Sequence, residues 1–294
     1  MHNKIVVILG PTASGKSDLA VKLARQFNGE IVSADSRQVY EYLDVGSGKI
    51  TLCEMKGIPH YLLDVANPKR KFTVAQFQKL AIKKIKEIQK RNKIPFLVGG
   101  TGFYIQAIVD GLIIPEVKPN WKLRKSLEKK PTNELFLMLK KLDPKRANSI
   151  DAKNPRRLIR AIEIVLSTKK PITKIKTKSQ FNVLQIGIKK SKEEIKKSIH
   201  ERLQKRLKIG MISEVKKLHK NGLSWKRLEE LGLEYRYIAE YLQKKISHEE
   251  MIYKLQLEIE HFAKRQMTWF KRDKRIYWIE SQIEAKNLIK NFLK

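Results

Sequence analysis

The stretch Lys4–Ala20, "KIVVILGPTASGKSDLA", decides the fold. Ile5 to Leu9 form an apolar run, Gly10 to Ser17 fit G-x-x-x-x-G-K-[ST], and Leu19, Ala20, Leu23 and Phe27 follow at helical spacing. That order is strand, glycine loop, helix. In this context the loop amides and the helix N-terminus point at a phosphate chain. Lys16 adds a point charge, and the Ser17 hydroxyl can sit on Mg²⁺. The candidate phosphate-binding residues are therefore Gly10, Pro11, Thr12, Ala13, Ser14, Gly15, Lys16 and Ser17. The motif leaves open which phosphate compound is held and whether a phosphoryl group is transferred.

Outward from this loop, "GEIVSADSRQVY" predicts a second strand at Glu30 to Ser33, and "IPHYLLDV" a third at Tyr61 to Val65. The segment "FTVAQFQKLAIKKIKEIQK" sets Val74, Phe77, Ala81, Ile85 and Ile88 on one helical face, and "KIPFLVGGTGFY" gives a fourth strand ending in glycines. Strands alternating with amphipathic helices imply a parallel sheet with helices on both faces and ligands at the carboxyl ends of the strands. The glycine loop, Asp35 and Thr101 all follow such ends. From Ile113 the pattern turns helical, punctuated by Pro115, Pro119, Pro131, Pro144 and Pro155. The sheet resumes at Val183 to Ile188, Ser191 to Lys274 is again helix-patterned, and "RIYWIES" predicts a last strand. The expected fold is α/β, a P-loop NTPase-like parallel sheet flanked by helices with a helical insertion. Residues 1–112 and 183–294 form the core and 113–182 the insertion. No internal repeat or low-complexity linker is visible, so disorder is not expected beyond lysine-rich tips.

With 294 residues, 41% of them hydrophobic, the chain can bury a large core. Its 63 Lys and Arg against 30 Asp and Glu leave a net charge of +33. A single run such as "KKPITKIKTKSQ" reads as a solvated face, but an excess spread over the whole chain favours a polyanionic partner such as nucleic acid. The lone Cys53 excludes an internal disulfide and a Cys-cluster zinc site. No apolar run is long enough to span a bilayer, and the sequence enters a strand at once without a signal-type segment. A cytoplasmic monomer is the default expectation.

Transfer of a γ-phosphoryl group requires an acidic residue at another strand end to hold Mg²⁺. "PFLVGG" ends without one, which leaves Asp64 in "YLLDV" as a candidate. Asp35, in "SADSRQVY", is the more interesting carboxylate, because beside a phosphate cradle it could take a proton from an attacking nucleophile. A capping role for it is the plainer alternative.

Taken together, "GPTASGKS", "VSADSRQVY", "VGGTGFYIQAIVDGL", "LDPKRANSIDAKNPRRLIRAIEI" and "FAKRQMTWF" closely resemble the tRNA dimethylallyltransferases, or tRNA isopentenyltransferases, over roughly residues 4 to 280. The resemblance implies transfer of a dimethylallyl group from dimethylallyl diphosphate to the exocyclic amine of the adenine 3′ to the anticodon. The cradled phosphate would then be the diphosphate leaving group, with Mg²⁺ on Ser17. By the same matching, Asp35 resembles the base that takes the amine proton, and Gln38 the side chain that reads the adenine edge. Thr101 resembles a residue holding phosphate or RNA at the reaction centre, and Arg202 an arginine on the leaving group, with Arg206 four residues on. Asp35, Ser36, Arg37, Gln38, Thr101, Arg124, Arg156, Arg157, Leu158, Ile159 and Arg160 match tRNA-contacting positions. Arg156, Arg157 and Arg160 can form one basic helix edge while Leu158 and Ile159 pack inward. A target adenine flipped out of the anticodon loop is implied.

Some positions depart from the pattern. Arg156 stands where many relatives have Gln, Ile259 and Glu260 where they often have Thr and Arg, and Glu234 where Gly is frequent. The carboxy-terminal zinc finger of some eukaryotic relatives is absent, as in the bacterial type. Two rivals remain: a P-loop small-molecule or nucleoside kinase, which leaves "SADSRQVY" and the charge unexplained, and a non-enzymatic RNA-binding protein, which has no need of Lys16 and Ser17.

Overall fold

A computed structural model describes residues 3–115, 117–172 and 177–294. Along the chain come β1 (Lys4–Leu9), α1 (Lys16–Gln26), β2 (Gly29–Ser33), the short α2 (Leu52–Met55), β3 (His60–Tyr61), α3 (Val74–Lys90), β4 (Ile94–Gly99) and α4 (Gly102–Val109). Four helices follow: α5 (Trp121–Leu127), α6 (Thr132–Leu142), α7 (Pro144–Ala147) and α8 (Pro155–Thr168). Then β5 (Asn182–Ile188) leads into α9 (Lys192–Lys208), α10 (Met211–Lys220), α11 (Trp225–Leu231), α12 (Leu233–Leu242) and α13 (His248–Phe270). The described chain closes with β6 (Ile276–Ile279) and α14 (Gln282–Leu293). No described helix is long and apolar enough to cross a membrane.

The strands build one parallel sheet in the order β3-β2-β4-β1-β5-β6. Central β1 is buried on both faces, as a parallel strand between helical layers must be. Its Ile5, Val7 and Leu9 join a core with α3, α4, α9, α10, α12 and α13, while Val6 and Ile8 pack with α1 and α14 on the other side. The third strand is shorter than the expected Tyr61 to Val65. Leu62 (φ 63°) and Asp64 (φ 54°) take left-handed backbone, which ends the pairing after Tyr61.

Contacts divide the chain into residues 1–110 with 179–294, and residues 111–178. The expected insertion, 113–182, starts two residues later and ends four residues later than this second unit. Part of the lysine-rich stretch Lys169–Gln180, residues 173–176, lies outside the described residues.

In the 111–178 unit the prolines start helices. Pro144 and Pro155 open α7 and α8, where a missing N–H costs nothing, and Pro131 caps α6. Leu127, Leu135, Leu139, Leu158, Ile159 and Ile162 form the core. Against it lies Glu163, a fully buried carboxylate. It accepts hydrogen bonds from Asn120 N (2.7 Å), from Nε and Nη2 of Arg124 (2.9 and 2.6 Å) and from Arg160 Nη1 (2.5 Å). Burial works to raise its pKa, but the arginines and the amide outweigh it and hold Glu163 below the usual carboxylate range. The stabilisation is therefore present above that range and fades as pH falls through it. Glu163→Ala should cost roughly 3 kcal/mol by leaving two guanidinium groups unpaired. Faster hydrogen exchange in α5 and α8 would register the loss; unchanged protection would contradict it.

Candidate active site

Three neighbouring strands deliver the expected residues to one edge. β2, β4 and β1 lie side by side, and their carboxyl ends lead into Asp35, Thr101 and the glycine loop. The backbone joins the first two, with Ala34 N donating to Val98 O (2.7 Å) and Thr101 N to Ala34 O (3.2 Å).

The loop passes into α1 through Gly15, whose φ of 83° is a left-handed value that glycine accepts without strain. Ala13 also adopts positive φ (61°), where a Cβ costs about 1–2 kcal/mol, so the surrounding packing imposes this shape. The first amides of α1 have no partner of their own within the helix. Ser14 Oγ is buried with no hydrogen-bond partner among the described residues. Both features suit an anion at this position. Ser17 is exposed at the start of α1. Among the described residues no three His, Cys, Asp or Glu side chains gather to hold a metal, so the donor set fits an ion shared with a phosphate rather than a protein cage.

Around the loop stands a cluster of cations. Half-buried Lys16 donates from Nζ to Pro11 O (3.1 Å). Burial, reinforced by Arg202 and Arg206 and opposed by Asp35, lowers its pKa to about 8. Arg202 and Arg206 are one turn apart on α9. Arg202 stays open to solvent but is crowded by protein atoms, and that desolvation with the Arg206 charge lowers it to about 10. Arg206 pairs with Glu234 (3.2 Å), one of the departing positions. Burial raises the Glu234 pKa against the pull of Arg206 and Arg202.

Asp35 is half-buried and holds the turn that follows it. Its Oδ1 accepts from Arg37 N (2.8 Å) and Gln38 N (3.3 Å), while Oδ2 has no hydrogen bond among the described residues. Capping thus uses one oxygen of the carboxylate. Thr101 sits at the N-cap of α4 but does not cap it; its Oγ1 accepts from Ser36 N (3.0 Å) and ties the Asp35 turn to β4. Gln38 donates from Nε2 to Gly48 O (3.0 Å), leaving its amide oxygen and second N–H for another group. Arg37 bends onto its neighbour, Nη1 donating to Ser36 O (3.2 Å). Asp64 is bound to Lys49 (2.5 Å).

Two residues absent from the sequence-based set shape this edge. Gln266 of α13 accepts from Thr12 N (2.8 Å) and donates to Gly100 O (2.8 Å), pinning the glycine loop to the end of β4. It was detectable as a lone amide in the buried stripe Ile259, Ala263, Gln266, Phe270. Glu214, described below, gave no such signal.

The four arginines expected to contact tRNA in the 111–178 unit separate into two kinds. Arg124 and Arg160 are committed to Glu163, and Arg160 also donates to Val117 O (3.2 Å). Leu158 and Ile159 are buried in the core, so their side chains leave the set expected to meet RNA. Arg156 and Arg157 are exposed, with Arg157 4.0 Å from Asp151.

A family model described as IPP transferase matches residues 38–273. The chain belongs to that family. It is 40% identical to a tRNA dimethylallyltransferase of Carboxydothermus hydrogenoformans, over 97% of this chain and 94% of the relative. A tRNA isopentenylpyrophosphate transferase from Bacillus halodurans superposes with a TM-score of 0.74 at 35% identity, covering 99% of this chain and 95% of that one. A eukaryotic dimethylallyltransferase acting on tRNA superposes with a TM-score of 0.82 at 26% identity, covering 95% and 74%. Membership in the IPP transferase family disfavours the kinase reading.

For a site of this kind the Lys16 charge has a measurable signature. Protonated below about pH 8 and neutral above it, Lys16 should make binding of inorganic diphosphate weaken as pH rises through that value. Lys16→Met should lower the affinity at neutral pH roughly 10- to 100-fold and remove this step. Titration calorimetry across pH reads both; a flat profile in the unaltered protein would contradict the assignment.

Proposed function

We propose that the chain transfers a dimethylallyl group from dimethylallyl diphosphate to the exocyclic amine of the adenine 3′-adjacent to the anticodon of cytoplasmic tRNA. The products are N6-dimethylallyladenosine and diphosphate. The observation that carries this reading is the cation cluster of Lys16, Arg202 and Arg206 around the glycine loop, with Asp35 within its electrostatic reach. Family membership supports it.

The bond that breaks joins the allylic carbon to the diphosphate oxygen, and the bond that forms joins that carbon to adenine N6. Negative charge grows on the diphosphate as the first bond lengthens. Lys16, Arg202 and the loop amides then bind it more tightly than they bind the intact donor, which lowers the barrier. Ser17 Oγ would help to hold a Mg²⁺, which would supply further positive charge at the leaving group. Asp35 takes the proton released from N6 on Oδ2, while Oδ1 keeps the turn in place. Gln38 offers its amide oxygen and remaining N–H to the adenine edge, which presents complementary groups. Thr101 acts by fixing the turn that carries Asp35 and Gln38.

RNA affinity would come from phosphate contacts to the broad positive surface, in keeping with the net charge of +33. In the 111–178 unit Arg156 and Arg157 are suited to that task, because Arg124 and Arg160 are held by Glu163.

The test is incubation with Mg²⁺, an anticodon stem-loop bearing the target adenine, and either dimethylallyl diphosphate or ATP, followed by mass spectrometry of the RNA. A dimethylallyl adduct formed only with the prenyl donor is expected, and no adduct with that donor would defeat the proposal. In the same assay Asp35→Asn should slow transfer by about 10² to 10⁴ with donor binding nearly kept. Near-normal turnover would remove it as the base. Arg157→Ala should reduce the salt slope of RNA binding by about one phosphate, whereas an unchanged slope would take it out of the interface.

A further inference from the structure

Between Asp44 and Gly48 the chain runs without regular structure, yet it touches both halves of the site. Successive amides of this loop converge on one carboxylate, Glu214 of α10. Oε2 accepts from Asp44 N (2.9 Å) and Val45 N (2.6 Å), and Oε1 accepts from Gly46 N (3.0 Å) and from the hydroxyl of Tyr235 (3.0 Å). Four donors fill the capacity of a carboxylate. The arrangement is an anion-binding nest occupied by the protein's own anion. Tyr235, on α12, is 1% exposed, and Met211, Val215 and Leu218 anchor α10 in the same core, so both partners sit on rigid elements.

The far end of the loop meets the groups given roles above. Gly48 O accepts the Gln38 amide, and a side chain at Gly48 would overlap the Arg206 guanidinium. Gly48 also has a φ of 59°, a left-handed value that favours glycine. Arg206 donates to Gly46 O (3.4 Å) while paired with Glu234. Where the loop goes, the Gln38 amide follows: without the Gly48 carbonyl it can rotate and exchange the donor and acceptor it shows to a base.

We propose that Glu214 and Tyr235 are a positioning pair that fixes the 44–48 loop and, through Gly48, sets the orientation of Gln38 for adenine. The inference rests on the proposed function, in which Gln38 reads the base. Glu214→Gln places an N–H₂ where an amide must donate, loosening the loop with little change in volume.

The test is a double-mutant cycle in prenyl transfer to the anticodon stem-loop, with Glu214→Gln, Gln38→Ala and their combination. Alone, Glu214→Gln should lower kcat/KM for the RNA by about 30-fold while the KM for dimethylallyl diphosphate stays within about threefold. In the Gln38→Ala background the same change should cost less than about threefold. If Glu214→Gln does not fold, Tyr235→Phe, which removes one oxygen, enters the same cycle with a smaller expected loss. Equal losses in both backgrounds would overturn the positioning role and leave the transferase reading intact. Failure of the unaltered protein to modify the RNA would instead overturn that reading, and this inference with it.

Discussion

The gathering of Lys16, Arg202 and Arg206 beside the glycine loop is the constraint on which the rest of the site depends. Burial first, and then the neighbouring positive charge, lowers the pKa values of Lys16 and Arg202. Such a cluster persists only where the surrounding structure is rigid. Here the rigidity comes from the fully buried β1 and from Gln266, which ties the glycine loop to β4. Glu234, a buried acid, pairs with Arg206.

The same constraint bears on the chemistry. A P-loop that only cleaves a nucleotide needs a second acid near its Mg²⁺. Asp64, the candidate for that task, is bound to Lys49, and no carboxylate cluster forms among the described residues. Asp35 instead has one oxygen committed to the 35–38 turn and the other without a hydrogen bond among the described residues, a geometry suited to accepting a single proton.

Local chemistry made part of this legible in the sequence. Lys4–Ala20 carried strand, loop and helix in one pattern, and the α/β sheet followed from it. Asp35 and Thr101 were legible because each directly follows an apolar strand. What escaped were effects of tertiary pairing. Nothing local distinguishes Arg124 and Arg160 from Arg156 and Arg157, and only the buried Glu163 claims the first two. The third strand was over-read because "YLLDV" has strand composition, whereas Leu62 and Asp64 take left-handed backbone. Glu214 looks like an ordinary helix-surface glutamate, and its amide partners lie 168 to 170 residues earlier in the chain.

Electrostatic roles of two kinds therefore coexist in a chain of +33. Buried and half-buried acids organise cations and amides: Glu163 in the 111–178 unit, Glu214 and Glu234 beside the site. Glu163 and Glu214 each fix a geometry by accepting several donors at once, which a solvated surface pair does not do. Exposed lysines and arginines, by contrast, provide a long-range field that gathers a polyanion without orienting it. Side chains and loops held by those acids keep a fixed orientation instead. Division of labour on this pattern lets a protein bind RNA through charge and still choose one amine within it.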